Sequence, residues 1–306
     1  MATIMIADFS GMRPLRNPVL LPDNNAQYSE NTWLYEGAVR GFRIDNPVYT
    51  LQYSDTAQVY RIPKSDVNPP DFINSTWMEF PDPYMAAIRN PTVGDTYNRY
   101  YFFPSDSYSS IGVNPNWPVA NPGPTYNTLT RIQAGESGYS LGIPTPTTAP
   151  TVTPPGSGTT QESRAYVYTM VSVYDEEGSP SPATVANGYT TGTWVITIPT
   201  PPVGINTNRN LMYYRLYRTV TDSSGNASYY QVGQFPINFA GPVTINDSAI
   251  DASITANQPL STIYYTPPPA GLQGVVMMAN GIAAGFTNER EIWFSAAYLP
   301  HAWPAS

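Results

Sequence analysis

Thirty-three prolines, spread along nearly all of a 306-residue chain, set the strongest limit on what it can fold into. Proline lacks an amide hydrogen and clashes with the preceding helical turn, so it is excluded from helix interiors and confined to strand edges and turns. Charged residues, which include the helix formers Glu and Lys, make up only 12%, whereas tyrosine occurs 24 times. The chain therefore reads as all-β, with short strands broken by long irregular connections. Its length suggests two or three domains with real cores. High tyrosine with low charge also describes surfaces that bury against other proteins, and composition alone does not separate that from tyrosines simply populating strands.

Charge excludes other classes. The net charge is −8, Lys64 is the only lysine, and no run of basic residues occurs, so a stable grip on a phosphate backbone is not expected. An acidic surface that DNA passes without sticking fits the same number. Cysteine is absent, which removes disulfides and thiolate chemistry. The start, Met1–Phe9, has no basic region and no apolar run of signal-peptide length, and no stretch reaches the length of a membrane span.

The clearest domain is expected at 161–259. Ala165–Tyr174 (AYVYTMVSVY) alternates, with Val167, Val171 and Val173 on one face and Tyr166, Tyr168, Met170 and Tyr174 on the other. Trp194–Ile198, Leu211–Val220, Ser228–Phe235 and Pro242–Ile245 follow as strands, with Gly225 in a hairpin loop. This spacing over about 100 residues indicates an immunoglobulin or fibronectin III-like β-sandwich. Residues 143–160, rich in Pro, Thr and Gly, read as a semi-stiff linker. Residues 1–142 read as a β-rich platform domain, with strands at Thr32–Tyr35, Ala38–Phe42, Val48–Tyr53, Gln58–Ile62 and Arg99–Phe103. Glu36-Gly37 looks like a tight turn, Tyr84–Arg89 the one helical turn, and Asp106–Tyr126 a long loop.

A search for chemistry yields little. His301 is the only histidine, and between Pro300 and Trp303 its expected role is packing or a backbone hydrogen bond, not catalysis. No nucleophile elbow, phosphate-binding loop or calcium loop occurs. Asp175-Glu176-Glu177 is the densest acidic cluster and reads as a solvated turn. Trp77, Trp117, Trp194, Trp293 and Trp303 are candidates for stacking on sugars, although Trp194 and Trp293 fall in alternating strands and read as core. No catalytic, cofactor-binding or metal-binding residue is assigned, and no cofactor is expected.

The C-terminal stretch is organised as an open unit. Asn280-Gly281 signals a type I′ hairpin turn. Ile282–Phe286 and Glu291–Ser295 read as strands flanking Thr287–Arg290, and Pro300–Pro304 (PHAWP) interrupts the pattern. Residues 260–306 are therefore expected to pack on the platform domain or on a neighbouring subunit, which makes the sandwich an insertion into a discontinuous second β-rich domain.

An ordered series of motifs completes the reading. Phe9–Pro14 (FSGMRP), Leu21–Gln27 (LPDNNAQ) and Leu34–Phe42 (LYEGAVRGF) are followed by Trp77–Phe80 (WMEF) and Asp95–Phe102 (DTYNRYYF). Leu141–Pro146 (LGIPTP), Tyr166–Pro182, Arg215–Arg218 (RLYR) and Asn280–Pro304 come next. The series resembles virion proteins of short-tailed bacteriophages of the tail-tube or nozzle type. The resemblance implies a non-enzymatic homo-oligomer in the virion tail, a ring expected to hold six copies. Its implied partners are the portal, its adaptor and other tail proteins, with DNA only in transit and no membrane segment. The alternative is a tail fibre or adhesin that binds host-surface carbohydrate, with or without hydrolase activity. The long Pro/Asn loops and the missing acid pair in an aromatic cleft favour the structural reading.

Overall fold

Strand pairing accounts for nearly all regular structure in the computed structural model, which describes residues 10–22, 24–28, 32–35, 38–41, 49–51, 54, 56–62, 76–80, 82–93, 95, 99–105, 127–129, 139–205, 209–221 and 224–304. Among these the protein is mostly β-sheet, with one four-residue α-helix. It divides into two units, residues 1–50 and 51–306.

In the first unit, β1 (Thr32–Tyr35) and β2 (Ala38–Gly41) form an antiparallel hairpin with Tyr35 opposite Ala38. Glu36-Gly37 lies outside the described residues. A separate loop closes on itself: Ser10 N–H donates to Asn24 O (2.8 Å) and Arg13 N–H to Ala26 O (2.9 Å).

The second unit starts with β3 (Gln58–Ile62) paired to β4 (Thr76–Phe80). A four-stranded sheet follows: β5 (Ala86–Arg89), β6 (Tyr100–Phe103), β7 (Asn127–Leu129) and β8 (Tyr139–Ser140), in that order. Tyr84–Arg89, expected as a helical turn, is thus a correction. Pairing with β6 and burial of Ile88 beside Tyr101 outweigh the helix preference of Ala-Ala. β6 supplies two cores by period two. Tyr100 and Phe102 pack with Met78, Phe80 and Met85, whereas Tyr101 and Phe103 face Ile88, Leu141 and Trp303. Pro104 follows immediately and β6 stops there. The 49–51 part of Val48–Tyr53 is not strand, and Asp106–Tyr126 lies outside the described residues.

The sandwich is built from seven strands: β9 (Thr151–Thr153), β10 (Gln161–Ser172), β11 (Thr184–Tyr189), β12 (Trp194–Ile198), β13 (Leu211–Thr221), β14 (Ala227–Pro236) and β15 (Val243–Asp247). One sheet runs β11-β10-β13-β14 and the other β15-β12-β9. Tyr166, Tyr168 and Met170 of the first sheet meet Trp194, Ile196, Ile198 and Ile245 of the second in one core. β9 lies inside the Pro/Thr-rich segment read as a linker. Pro150 and Pro154 flank it without interrupting it, so Val152 still pairs with Ile196. Gly188 is required where the sheets close, because a Cβ there would lie 2.8 Å from the Trp194 ring. The helix α1 (Asp251–Ile254) follows β15.

β16 (Gln273–Met277), β17 (Ala283–Phe286) and β18 (Ile292–Phe294) form a C-terminal meander. Its buried side, Val275 and Ala283, joins Ile88, Tyr101, Phe103, Leu141 and Trp303 in one core, so the chain on both sides of the sandwich shares that core. Both turns repeat one geometry. Gly281 N–H donates to Met278 O (3.0 Å) and Arg290 N–H to Thr287 O (3.1 Å), with Gly281 at φ +76° and Arg290 at φ +67°. Asn280 is not among the positive-φ residues, so the turn is a type I turn closed by a left-handed residue and not the expected type I′. The two positions should respond oppositely to substitution. Arg290→Gly removes strain from a position glycine fits freely and is expected to stabilise by about 0.5–1 kcal/mol. Gly281→Val adds strain and drives a Cβ to 2.8 Å from the Tyr298 ring, for an expected loss of about 2 kcal/mol. Thermal melts of the two variants that moved in the same direction would contradict this turn geometry.

Candidate functional site

The acidic run Asp175-Glu176-Glu177 was expected to be a solvated turn, and the fold makes it the centre of a buried charge network. Glu176 and Glu177 are 5% and 8% exposed. The turn forms because Ser172 follows the last core residues of β10. Its amide donates to Glu176 O (3.0 Å), its hydroxyl accepts from the Glu176 amide (3.3 Å), and Asp175 adopts φ +62°. An Asp tolerates that left-handed conformation better than most residues. The two glutamates then point to different bodies.

Glu176 reaches out of the sandwich and accepts from Arg99 Nη1 at 2.7 Å. Arg99, just before β6, also donates through Nε to Asp95 (3.0 Å), which accepts in turn from Asn90 (2.8 Å). The guanidinium lies 5.8 Å from the Tyr174 ring. Glu177 turns back onto the sandwich. It accepts from Thr169 (2.6 Å), Tyr217 (2.7 Å) and Arg215 Nη1 (2.7 Å), and Arg215 also pairs with Asp175. Three donors satisfy the Glu177 carboxylate, the condition for burying charge without a prohibitive cost, whereas the Glu176 carboxylate is held by Arg99.

The C-terminal segment closes the same junction. His301 is 5% exposed and Ala302 and Trp303 are fully buried. The Trp303 indole donates to Pro300 O (2.8 Å), its amide donates to Thr266 O (2.9 Å), and its ring packs 6.2 Å from Phe103. Pro300–Pro304 therefore caps the core and does not merely break the strand pattern.

Burial pushes the Glu176 carboxyl up to about 6, an effect Arg99 only partly offsets. Burial drives His301 down to about 3, helped by the nearby Arg99 charge and opposed by the Glu177 backbone carbonyl. For Asp95, burial acts to raise the pKa, but the Arg99 and Asn90 hydrogen bonds prevail and hold it below the usual value. Burial raises Tyr101, whose hydroxyl has no hydrogen-bond partner among the described residues, and Glu176 adds to the effect.

The signs of these shifts predict a pH profile. His301 protonates near 6.5 when unfolded but only near 3 when folded, so the stability it supports is complete above pH 6.5 and is lost as pH falls towards 3. Glu176 takes its proton near 6 when folded and near 4.5 when unfolded, so it adds stability as pH falls from 6 to 4.5. Over that window the two contributions oppose each other. In His301→Asn only the Glu176 contribution remains. The variant's stability relative to wild type should therefore rise by about 1.4 kcal/mol per pH unit below 6.5. Urea unfolding at several pH values checks this, and a constant offset between the two proteins would contradict it.

The remaining sequence candidates are dispersed. Trp194 and Trp303 are fully buried and offer no ring face to a sugar; Trp194 instead sits 4.8 Å from the Arg164 guanidinium. Trp293 is partly buried and donates to Glu291 (2.9 Å), Trp77 lies 5.1 Å from the Arg61 guanidinium, and Trp117 lies outside the described residues. Among the described residues no three His, Cys, Asp or Glu side chains group as a metal site, and no helix is long and apolar enough to cross a membrane. Asp247, which carried no sequence signal, is a second buried hub, with Arg218 at 3.0 Å, Arg164 at 3.6 Å and the Tyr166 hydroxyl at 2.8 Å. No protein-family model and no curated protein matches the chain.

A different kind of surface stands out on the C-terminal meander. Phe286 faces Ile292 across β17–β18, and Val276, Ala284 and Phe294 lie in register on the same side. Val276, Phe286, Ile292 and Phe294 are 48–70% exposed, and β18 is the outer strand of its sheet. Among the described residues β18 pairs only with β17, so this contiguous apolar face lies beside a strand edge with no described partner, a combination typical of interaction surfaces.

Proposed function

We propose that this chain is a non-enzymatic structural subunit of a bacteriophage tail, part of a nozzle or tube ring of six copies through which the genome is ejected. The apolar outer face of the C-terminal meander carries the reading, because a neighbouring subunit in a closed ring covers both that face and the β18 edge. The ordered motif series in the sequence gives it its virion context. The seven-strand arrangement, three strands against four over one core, supports an immunoglobulin or fibronectin III-like sandwich set into the platform. In this reading the charge network at Glu176 and Arg99 holds the sandwich at a fixed angle to the platform, as a subunit under ejection load requires.

In this ring the lumen repels the phosphates of passing DNA. Asp95, Glu176, Glu177 and Asp247 are committed to internal pairs, so the repulsion falls to exposed acids such as Glu289 and Glu291. Screening limits that repulsion to about 8 Å at physiological salt. The test is a charge placed on the apolar face. Ile292→Asp with Phe294→Asp is expected to abolish assembly while leaving circular dichroism and melting temperature close to wild type. Unchanged assembly of a folded double variant would remove the basis of the ring.

A further inference from the structure

The chain passes between the platform and the sandwich through a narrow neck. On the way out, Leu141 lies in the platform core and Ile143 in the sandwich core, so Gly142 alone separates them. Gly142 adopts φ +87°, a conformation that glycine reaches freely and side chains resist. On the way back, Tyr265 O accepts from the Ser179 amide of the sandwich (3.0 Å). The next residue, Thr266, belongs to the other side: its hydroxyl donates to Trp303 O, and its carbonyl accepts from the Trp303 amide (2.9 Å). The two crossings touch, because a Cβ on Gly142 would lie 2.7 Å from Pro267 Cα. Among the described residues no strand pairs across the neck, and the two cores share no residue.

Two side-chain ties span the neck beside these crossings. Arg99 of the platform donates to Glu176 and lies against the Tyr174 ring, and His301 faces the Glu177 backbone carbonyl. Both ties end on the single turn that follows β10. We propose that the neck is a pivot latched by Arg99 and His301, and that the sandwich swings as one body when both ties are released. A hinge needs a few residues that absorb backbone rotation between bodies that keep their own cores. Gly142 supplies that freedom, while Pro267–Pro269 hold the return crossing stiff beside it. Release strands no cation, because Arg99 retains Asp95 through Nε (3.0 Å). The latch does not depend on the ring reading; it applies to any assembly in which the chain serves.

The absence of cysteine makes the motion observable in the full-length chain. Val93→Cys on the platform and Ala227→Cys on the sandwich, both exposed, supply two spin-label sites and no others. The distance distribution between the labels, read by double electron–electron resonance, is expected to be narrow while both ties stand. Arg99→Gln with His301→Ala should widen it about twofold or more. Circular dichroism should stay unchanged, since neither residue belongs to either core. Each single substitution leaves one tie and should give an intermediate width. A distribution already broad with both ties present would show that they do not latch the sandwich. One that stays narrow in the folded double variant would show that the neck is rigid. Either result overturns the proposal, and so do unchanged widths in both single variants if the double variant does not fold.

Discussion

Replacing Trp303 by alanine is expected to cost about 3–5 kcal/mol, the range for truncating a fully buried tryptophan. The side chain is fully buried against Phe103, in a core that also holds Tyr101, Ile88 and Leu272. Truncation leaves a cavity, strands the Pro300 carbonyl that the indole satisfies, and loosens the segment that keeps His301 from water. Trp303→Phe restores much of the volume but not the donor, so it should lie between alanine and wild type. Urea unfolding of the three proteins gives the order directly. A loss below about 1 kcal/mol for the alanine variant would mean that the C-terminal segment is not part of this core.

The second large effect is expected at Asp247, whose side chain is fully buried between Arg218 and Arg164. Removing one partner of a buried ionic group leaves the others uncompensated, typically at about 3–5 kcal/mol. Arg218 retains Asp251 (2.7 Å) and the Ala249 carbonyl (2.9 Å), so Asp247→Ala should fall at the lower end, near about 3 kcal/mol. The double variant Asp247→Leu/Arg218→Met fills the space with apolar atoms and removes the stranded guanidinium. It should recover more than half of the loss. A double variant as unstable as Asp247→Ala would show that the pair contributes more than its own desolvation consumes.

Period-two patterning made most of the sandwich readable from sequence. Tyr166, Tyr168 and Met170 face the core as their alternation requires, and Trp194–Ile198 has the bounds that Pro199 sets. β9 was hidden because three residues between prolines show too little alternation to register. Tyr84–Arg89 was misread because a local helix preference says nothing of a partner strand, and β6 decides that segment. The charge network was illegible for a related reason. Three consecutive acids look solvated until their partners are known, and Arg99 lies 77 residues before Glu176 while Arg215 lies 38 after Glu177. His301 is buried, as a packing role requires, and burial depresses its pKa most, but the further push comes from an arginine some two hundred residues earlier in the chain. Patterning reports which face is apolar; it does not report which distant cation waits for a buried carboxylate.

The central claim, a closed ring of identical subunits, is tested most directly by the mass of the assembled particle in solution. Six copies of a 33.6 kDa chain give about 200 kDa, the mass the ring predicts. A stable trimer near 100 kDa is the signature of a fibre and would contradict it, as would a chain that stays monomeric at every concentration with its apolar meander face uncovered.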